Sequence, residues 1–444
     1  MSSFITTDAK KVLLDKFRTS FDSDRYYIGI SGSEVTSNSG GLFDQNRVRN
    51  ELNFVKVVSN KSFVVDNNTW TSGVTYNAYD DNDPDQEKFY VINSENEVFI
   101  CLQQGKDNDG TVRTSTVEPT TELAIAFDAL GKSFRTSDRY IWRYLYQLTS
   151  FADASFKTLS YLPVSKITDT FTTVPASQEQ LTLQNGSVAG QILNIQIDSS
   201  GTGYDFAPRI TIGGNGSGAS FSCDIAEGRI SRVYVDSSAG SLTHGSGYEY
   251  ASLEVSGSGG AVLRAVLGPK EGINADPVES LRSNKFMVYT EIQDDENGTI
   301  PLADPVNDFK HVALMRNITK YSSDSDFTAN TGNAMHNFDI SNRQNGDFVV
   351  DETFTQTDQT ASGKVYWRDN NKLYYVQNHT TGFGEFQVTE GIRSTSGVTA
   401  TIDVINYPDI DRYSGDILYI NNLDEAIDRT SSQTEDIKIV IDLG

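Results

Sequence analysis

Asp138–Leu148 reads DRYIWRYLYQL. Taken as a strand, its period of two sets Tyr140, Trp142, Tyr144, Tyr146 and Leu148 on one face, with Ile141, Arg143, Leu145 and Gln147 on the other. Each ring buries on the order of 150–250 Å². Such a face needs a large partner surface, either the protein's own core or another subunit. The alternation favours the core and leaves the Arg143/Gln147 face to meet solvent or a partner. Downstream, SYLPV (Ser160–Val164) reads as an extended segment closed by a proline.

The rest of the composition points the same way. Aromatic content is 11 %, carried by 21 Tyr and 23 Phe against three Trp, and there are 35 Gly. That profile suits sheet better than helix bundle. The expected fold class is mostly β with a minor α+β component: a multi-module protein of β-sandwich and small-barrel domains behind a short N-terminal helix. A formal charge of −24 argues against a nucleic-acid groove, which needs a Lys/Arg surplus. Cys101 and Cys223 lie far apart and read as two reduced, buried thiols. With no apolar leader and no stretch near the roughly 18 apolar residues that span a bilayer, a soluble protein made in a cytoplasm is expected.

Along the chain, residues 1–24 read as a helical segment, with Thr7 as cap and Ala9, Val12, Leu13, Lys16 and Phe17 at helical spacing. Residues 25–167 read as a β-rich core domain, built from RYYIGIS, ELNFVKVV, KSFVVD, KFYVINS and EVFICLQ. Within it, Thr69–Asp85 is a long polar loop carrying exposed-looking aromatics. Residues 168–275 form a glycine-rich module with an internal duplication. Ile192, Ile195 and Ile197, Gly201-Thr-Gly-Tyr204, Ile210-Thr-Ile212 and Gly216-Ser-Gly-Ala219 are matched by a second set. That set is Ile230, Val233 and Val235, Gly245-Ser-Gly-Tyr248, Leu253-Glu-Val255 and Gly257-Ser-Gly-Gly-Ala261. Residues 276–347 return to the core through KFMVYTEI and then run into a polar stretch from Tyr321, read as a long loop or a segment ordered by a partner. Residues 348–405, with VYW, KLYYVQN, GEFQV and TATIDVI, suggest a small barrel or sandwich. Residues 406–444 end in the alternating strand DIKIVIDL.

No catalytic, cofactor-binding or metal-binding residue is assigned. His244, His311, His336 and His379 sit in unrelated contexts, and no Gly-x-Ser-x-Gly elbow occurs. Gly214-x-Gly216-x-Gly218 lacks the Lys-Ser/Thr of a phosphate loop and reads as a turn. Asp80-Asp-Asn-Asp-Pro-Asp85 lacks the Gly and Glu of a calcium loop and reads as a solvated acidic loop. The candidate interface residues are Trp70, Tyr76, Tyr79 and Trp367, rings in polar contexts that suit interface anchors or platforms for sugar rings.

Ser137-Asp-Arg-Tyr-Ile-Trp-Arg-Tyr-Leu-Tyr146, Phe156-Lys-Thr-Leu159 and Tyr161-Leu-Pro-Val164 resemble the baseplate wedge subunit of contractile-tailed, T-even-like phages, a family present as a dimer in each of six wedges. Asn50-Glu-Leu-Asn53, Trp70–Tyr76 with Tyr79-Asp-Asp81, Phe89–Ile92 with Val98–Leu102, and Gly272–Glu279 also resemble the family's pattern, in its order. So do Asn307-Asp-Phe309, Tyr407-Pro-Asp-Ile-Asp-Arg-Tyr-Ser-Gly-Asp-Ile-Leu-Tyr419 and Gln433–Lys438. Near Tyr27 the chain departs, with Gly29-Ile-Ser-Gly-Ser-Glu34 in place of an aromatic-proline segment. The resemblance implies a non-enzymatic virion component, assembled in the host cytoplasm into the tail baseplate, a homodimer bridging other wedge proteins. It implies movement during the rearrangement that triggers sheath contraction, with no cofactor, small-molecule substrate, nucleic acid or membrane as partner. The alternative class is a receptor- or polysaccharide-binding tail protein.

Overall fold

The computed structural model describes residues 7–31, 42–84, 86–124, 133–236, 243–294, 296, 300, 307–358, 360–369, 371–429 and 432–442. The structure is mostly β, with many small sheets and a closed six-stranded barrel. It divides into two units, Ser62–Met287 with short terminal pieces and Asp15–Lys61 with Val288–Ile439. The expected 25–167 domain is therefore not one body: its first strands belong to the second unit. Local periodicity gives strands but not their partners, which is why that boundary was illegible.

In the first unit, Tyr90–Ile92, Glu97–Gln103, Ile141–Gln147 and Ser133–Arg135 form an antiparallel sheet in that spatial order. Val98 pairs with Tyr146 but Phe99 with Tyr144, so Leu145 is an extra, bulged residue. Val98 and Phe99 point to opposite faces, and the bulge therefore turns Tyr146 away from Tyr144. The expected single aromatic face is broken there. Tyr140, Trp142 and Tyr144 join Tyr76, Phe99, Cys101 and Phe134 in one buried cluster, closed by Leu183 of the helix Pro175–Asn185. Tyr146 instead donates to the Pro163 carbonyl at 2.9 Å. The other face is not left to solvent either: Ile141 and Leu145 are buried, and Arg143 is 2 % exposed. Its Nε donates to Asn274 Oδ1 at 2.5 Å, and Asn274 Nδ2 donates to the Tyr144 carbonyl at 2.9 Å. Both cysteines are free and buried.

The glycine-rich module folds as a nest of antiparallel pairs. Ile192–Ser199 pairs with Val262–Leu267, Ile210–Gly214 with Ala251–Val255, Ser217–Ala219 with His244–Ser246, and Phe221–Ala226 with Arg229–Val235. The first strand of each copy thus pairs with the last strand of the other. Ile195 faces Ala265, and its equivalent Val233 faces Cys223, the equivalent of Ala265. The middle strands pair with each other about Thr211 and Glu254, the self-complementary pattern of a two-fold axis. The turns repeat it. Tyr204 N donates to the Gly228 carbonyl and Tyr248 N to that of Gly190. Tyr204 lies on Gly259, and Tyr248 lies on Gly216, so each copy's tyrosine fills the space over the other copy's glycine.

In the second unit, Thr331–Asn333, Leu52–Val57, Tyr26–Ser31, Asn307–Arg316 and Asp416–Arg429 form an antiparallel sheet. Tyr27, Leu52, Val55, Ala313, Met315 and Ile410 make its core. The N-terminal helix runs Thr7–Ser23, so Thr7 is its first helical residue. Phe21 stacks on Tyr26 at 3.7 Å, whereas Val12 and Leu13, expected on the apolar stripe, are 52 % and 51 % exposed. Beyond Ser31 the departure near Tyr27 lies outside the described residues, as does Asp85.

The barrel order is His336–Gln344, Lys372–Val376, Ser362–Asp369, Thr353–Gln356, Gly391–Ser394 and Thr399–Asn406. It is filled by Phe338, Phe348, Phe354, Tyr375 and Phe386. Two expectations are corrected here. The polar stretch read as a loop to residue 347 contains a barrel strand, whose Phe338 and Ile340 point in while Asp339 and Ser341 alternate with them. GEFQV is not a strand; it crosses the barrel as a loop that inserts Phe386, and Gly391–Ser394 supplies the strand.

A methyl group added at Gly259 or Gly216 overlaps ring carbons of Tyr204 or Tyr248. Gly259→Ala and Gly216→Ala are each expected to cost about 1–3 kcal/mol in urea unfolding. Losses within 0.5 kcal/mol, roughly the range of ordinary surface substitutions, would refute the reciprocal packing.

Candidate functional site

The four rings chosen as interface candidates lie mostly inside. Tyr76, Tyr79 and Trp367 are 2 %, 5 % and 7 % exposed, and Trp70 is half-buried. Tyr76 sets its ring edge-on to Trp142 at 5.7 Å, and its hydroxyl accepts from Thr71 N at 2.7 Å. Tyr79 packs on Phe89 beneath the Arg282 guanidinium, 4.6 Å from the ring centre. Trp70 Nε1 donates to Ser115 Oγ at 3.1 Å, and Trp367 packs on Tyr374 at 4.6 Å. As surface anchors Tyr76, Tyr79 and Trp367 are corrected, while Trp70 keeps part of its ring at the surface. Their segment is polar because its backbone and carboxylates reach the surface while its rings turn inward. Trp70, Tyr76 and Tyr79 belong to the first unit and Trp367 to the second.

The acidic run is also more than a solvated loop. Asp80 makes a two-point pair with Arg264, at 2.7 and 3.0 Å, and Asp81 lies 3.4 Å from the same guanidinium. Burial opposes ionisation of Asp80, but hydrogen bonds from Arg264 and Asn82 N hold its carboxyl below the usual range. Among the described residues, no group of three or more His, Cys, Asp or Glu side chains converges on a metal position, and no helix is long and apolar enough to cross a membrane.

A surface feature with convergent chemistry lies on the barrel. A cleft of about 700 Å³ runs between Tyr321, His336, Tyr375, the Phe383–Val388 loop and the strand end at Asp403–Tyr407. That is the size range of ligand pockets, roughly 300–1,000 Å³. Tyr321 and Tyr407 stack at 5.4 Å with 19° between their planes, and His336 stands edge-on to Tyr321 at 5.3 Å. Tyr407 and Phe383 are 61 % and 66 % exposed, so two ring faces are open to a ligand. Glu385, Asp403, Gln377 and Gln387 supply acceptors and amides beside them.

The floor of this cleft is fixed by an arginine. Arg412 is 6 % exposed; Nη1 donates to the Asn50 carbonyl at 2.9 Å and Nη2 to His336 Nδ1 at 3.2 Å. Because Arg412 can only donate, His336 Nδ1 accepts, and its proton sits on Nε2, 3.3 Å from the Tyr321 hydroxyl. Arg49 braces the same segment, donating to the carbonyls of Arg412, Ser414 and Gly415. In sequence alone Tyr407–Tyr419 carries no sign of a site. The pattern Tyr-Pro-Asp-Ile-Asp-Arg marks the segment, but the partners Tyr321, His336 and Phe383 are distant in sequence and carry no shared local signal.

Burial, and secondarily the Arg412 charge, push the His336 imidazole down to about 4. Above pH 6.5 it is neutral folded or unfolded; below that the unfolded chain takes up the proton first. Stability should therefore fall as pH drops from about 6.5 to 4, by roughly 1–3 kcal/mol after allowing for partial solvent access. Urea titrations of the wild type and His336→Gln across that window check it, and the variant should lose that part of the slope. No protein-family model and no curated protein sequence matches the chain.

Proposed function

We propose that the chain is a structural component of a contractile-tail baseplate wedge, a dimer that bridges neighbouring wedge proteins and moves with them when the sheath is triggered. One observation carries the reading: within each unit, several of the segments that resemble the family meet one another. Arg143 and the Tyr144 carbonyl of the aromatic strand bond Asn274 of Gly272–Glu279. Tyr76, Phe99 and Cys101 from two further segments pack on Trp142. In the second unit, Arg412 and Tyr413 of the Tyr407–Tyr419 segment bond the carbonyl and side chain of Asn50, at 2.9 and 2.6 Å. Short motifs matched by chance have no reason to be spatial neighbours; motifs of one fold do.

On this reading the buried polar residues of these segments hold the scaffold, no catalytic step is assigned, and partner contacts use rings that are open on the surface. Phe171, Phe206 and Tyr250 are 89 %, 84 % and 63 % exposed. Light scattering is expected to give a dimer, and mixing with the other tail proteins of the same virus should yield a defined complex on gel filtration. A monomer at every concentration that also fails to co-elute with any of them would sink the proposal.

The barrel cleft favours a second reading, a receptor- or polysaccharide-binding tail protein, because stacked tyrosines beside carboxylates and amides match the apolar face and the hydroxyls of a sugar ring. Glycan-array binding that is lost in Tyr407→Ala and Phe383→Ala supports it; no binding above background removes it.

A further inference from the structure

In a chain whose formal charge is −24, one cavity is lined by four cations. It measures about 110 Å³ and lies in the first unit, between the aromatic sheet and the duplicated module. Lys106 follows the strand Glu97–Gln103, Arg135 ends Ser133–Arg135, Arg139 precedes Ile141–Gln147, and Arg232 belongs to Arg229–Val235. Two of them are committed. Arg139 Nη1 donates to Asn108 Oδ1 at 2.8 Å and to the Lys106 carbonyl at 3.1 Å, and Arg232 pairs with Asp224.

The other two are not. Among the described residues, neither Arg135 nor Lys106 has a carboxylate within ion-pair distance. The Arg135 guanidinium lies 5.6 Å from the Tyr234 ring centre, and Arg232 lies over the same ring at 4.6 Å. A third group stands with them: Gln103, 6 % exposed, also lines the cavity, and its buried Nε2 has no hydrogen-bond partner among the described residues. An orphaned buried amide donor near two cations that lack a direct ion-pair partner is costly unless an acceptor joins them.

We propose that this cavity binds a compact tetrahedral oxyanion, of the size of inorganic phosphate or sulfate, held by Arg135, Lys106 and Gln103 Nε2. The Arg fork and the lysine point charge suit such an ion. The cavity exceeds the ~30 Å³ share of one water several-fold but falls short of the ~300 Å³ at which drug-sized sites begin. Because the ligating groups come from both the sheet and the duplicated module, the ion ties these two parts of the unit together, and binding raises the unit's stability by linkage.

The test is a titration of the full chain with inorganic phosphate, and separately sulfate, against chloride at matched ionic strength, read by calorimetry and by the unfolding temperature. A saturable rise with either oxyanion and not with chloride is expected. Arg135→Gln and Lys106→Gln should weaken the apparent affinity at least tenfold. In chloride they should unfold no lower than wild type, because each removes repulsion among like charges. Equal effects of phosphate, sulfate and chloride on the wild type overturn the proposal, whatever the variants do. So does an equal drop for the variants in both buffers, which is the signature of a merely structural role. Gln103→Leu, which keeps every charge, should also weaken the oxyanion response; an unchanged response removes Gln103 from the site.

Discussion

Covering the strand Ile141–Gln147 on both faces is the constraint on which the first unit depends. A central strand with Trp142 and Tyr144 on one side needs a thick apolar layer, which Tyr76, Phe99, Phe134 and Leu183 supply. Once the opposite side is covered as well, Arg143 cannot reach water, and a buried cation left without partners costs several kcal/mol. Asn274 meets that demand while also holding the Tyr144 carbonyl. The bulge at Leu145 is part of the same solution, because it sends Tyr146 to the face where its hydroxyl finds the Pro163 carbonyl.

The duplicated module solves a different problem. A single copy would expose unpaired strand edges and a glycine turn with nothing over it. Exchange of first and last strands between the copies pairs those edges, and each tyrosine covers the glycine of the other copy. The two-fold pattern also sets Phe206 and Tyr250, two residues beyond Tyr204 and Tyr248, as matched exposed rings. Arg412 plays the comparable organising part in the second unit, joining Asn50 to His336 of the barrel cleft.

Much of the secondary structure was legible. RYYIGIS, EVFICLQ, DRYIWRYLYQL and KFMVYTEI alternate or run apolar at strand length, and each is a strand. The repeat was legible because glycine turns need particular residues at fixed offsets. The candidate rings were not: Tyr76, Tyr79 and Trp367 stand in polar sequence, and their covers, Trp142, Phe89 with Arg282, and Tyr374, are reached through the fold rather than along the chain. The barrel strand His336–Gln344 was missed for a related reason, since only Phe338 and Ile340 mark it within a polar run.

By itself, then, the sequence determined the class of the protein: its strands, its duplicated module and its acidity. These are short-range properties, set by side-chain period, turn chemistry and charge. Tertiary structure alone decided which rings are covered, where Arg143 and Arg412 find their acceptors, and how a strongly acidic chain gathers Lys106, Arg135, Arg139 and Arg232 around one cavity. Burial and charge proximity depend on residues far apart in the chain, and no local pattern encodes their meeting.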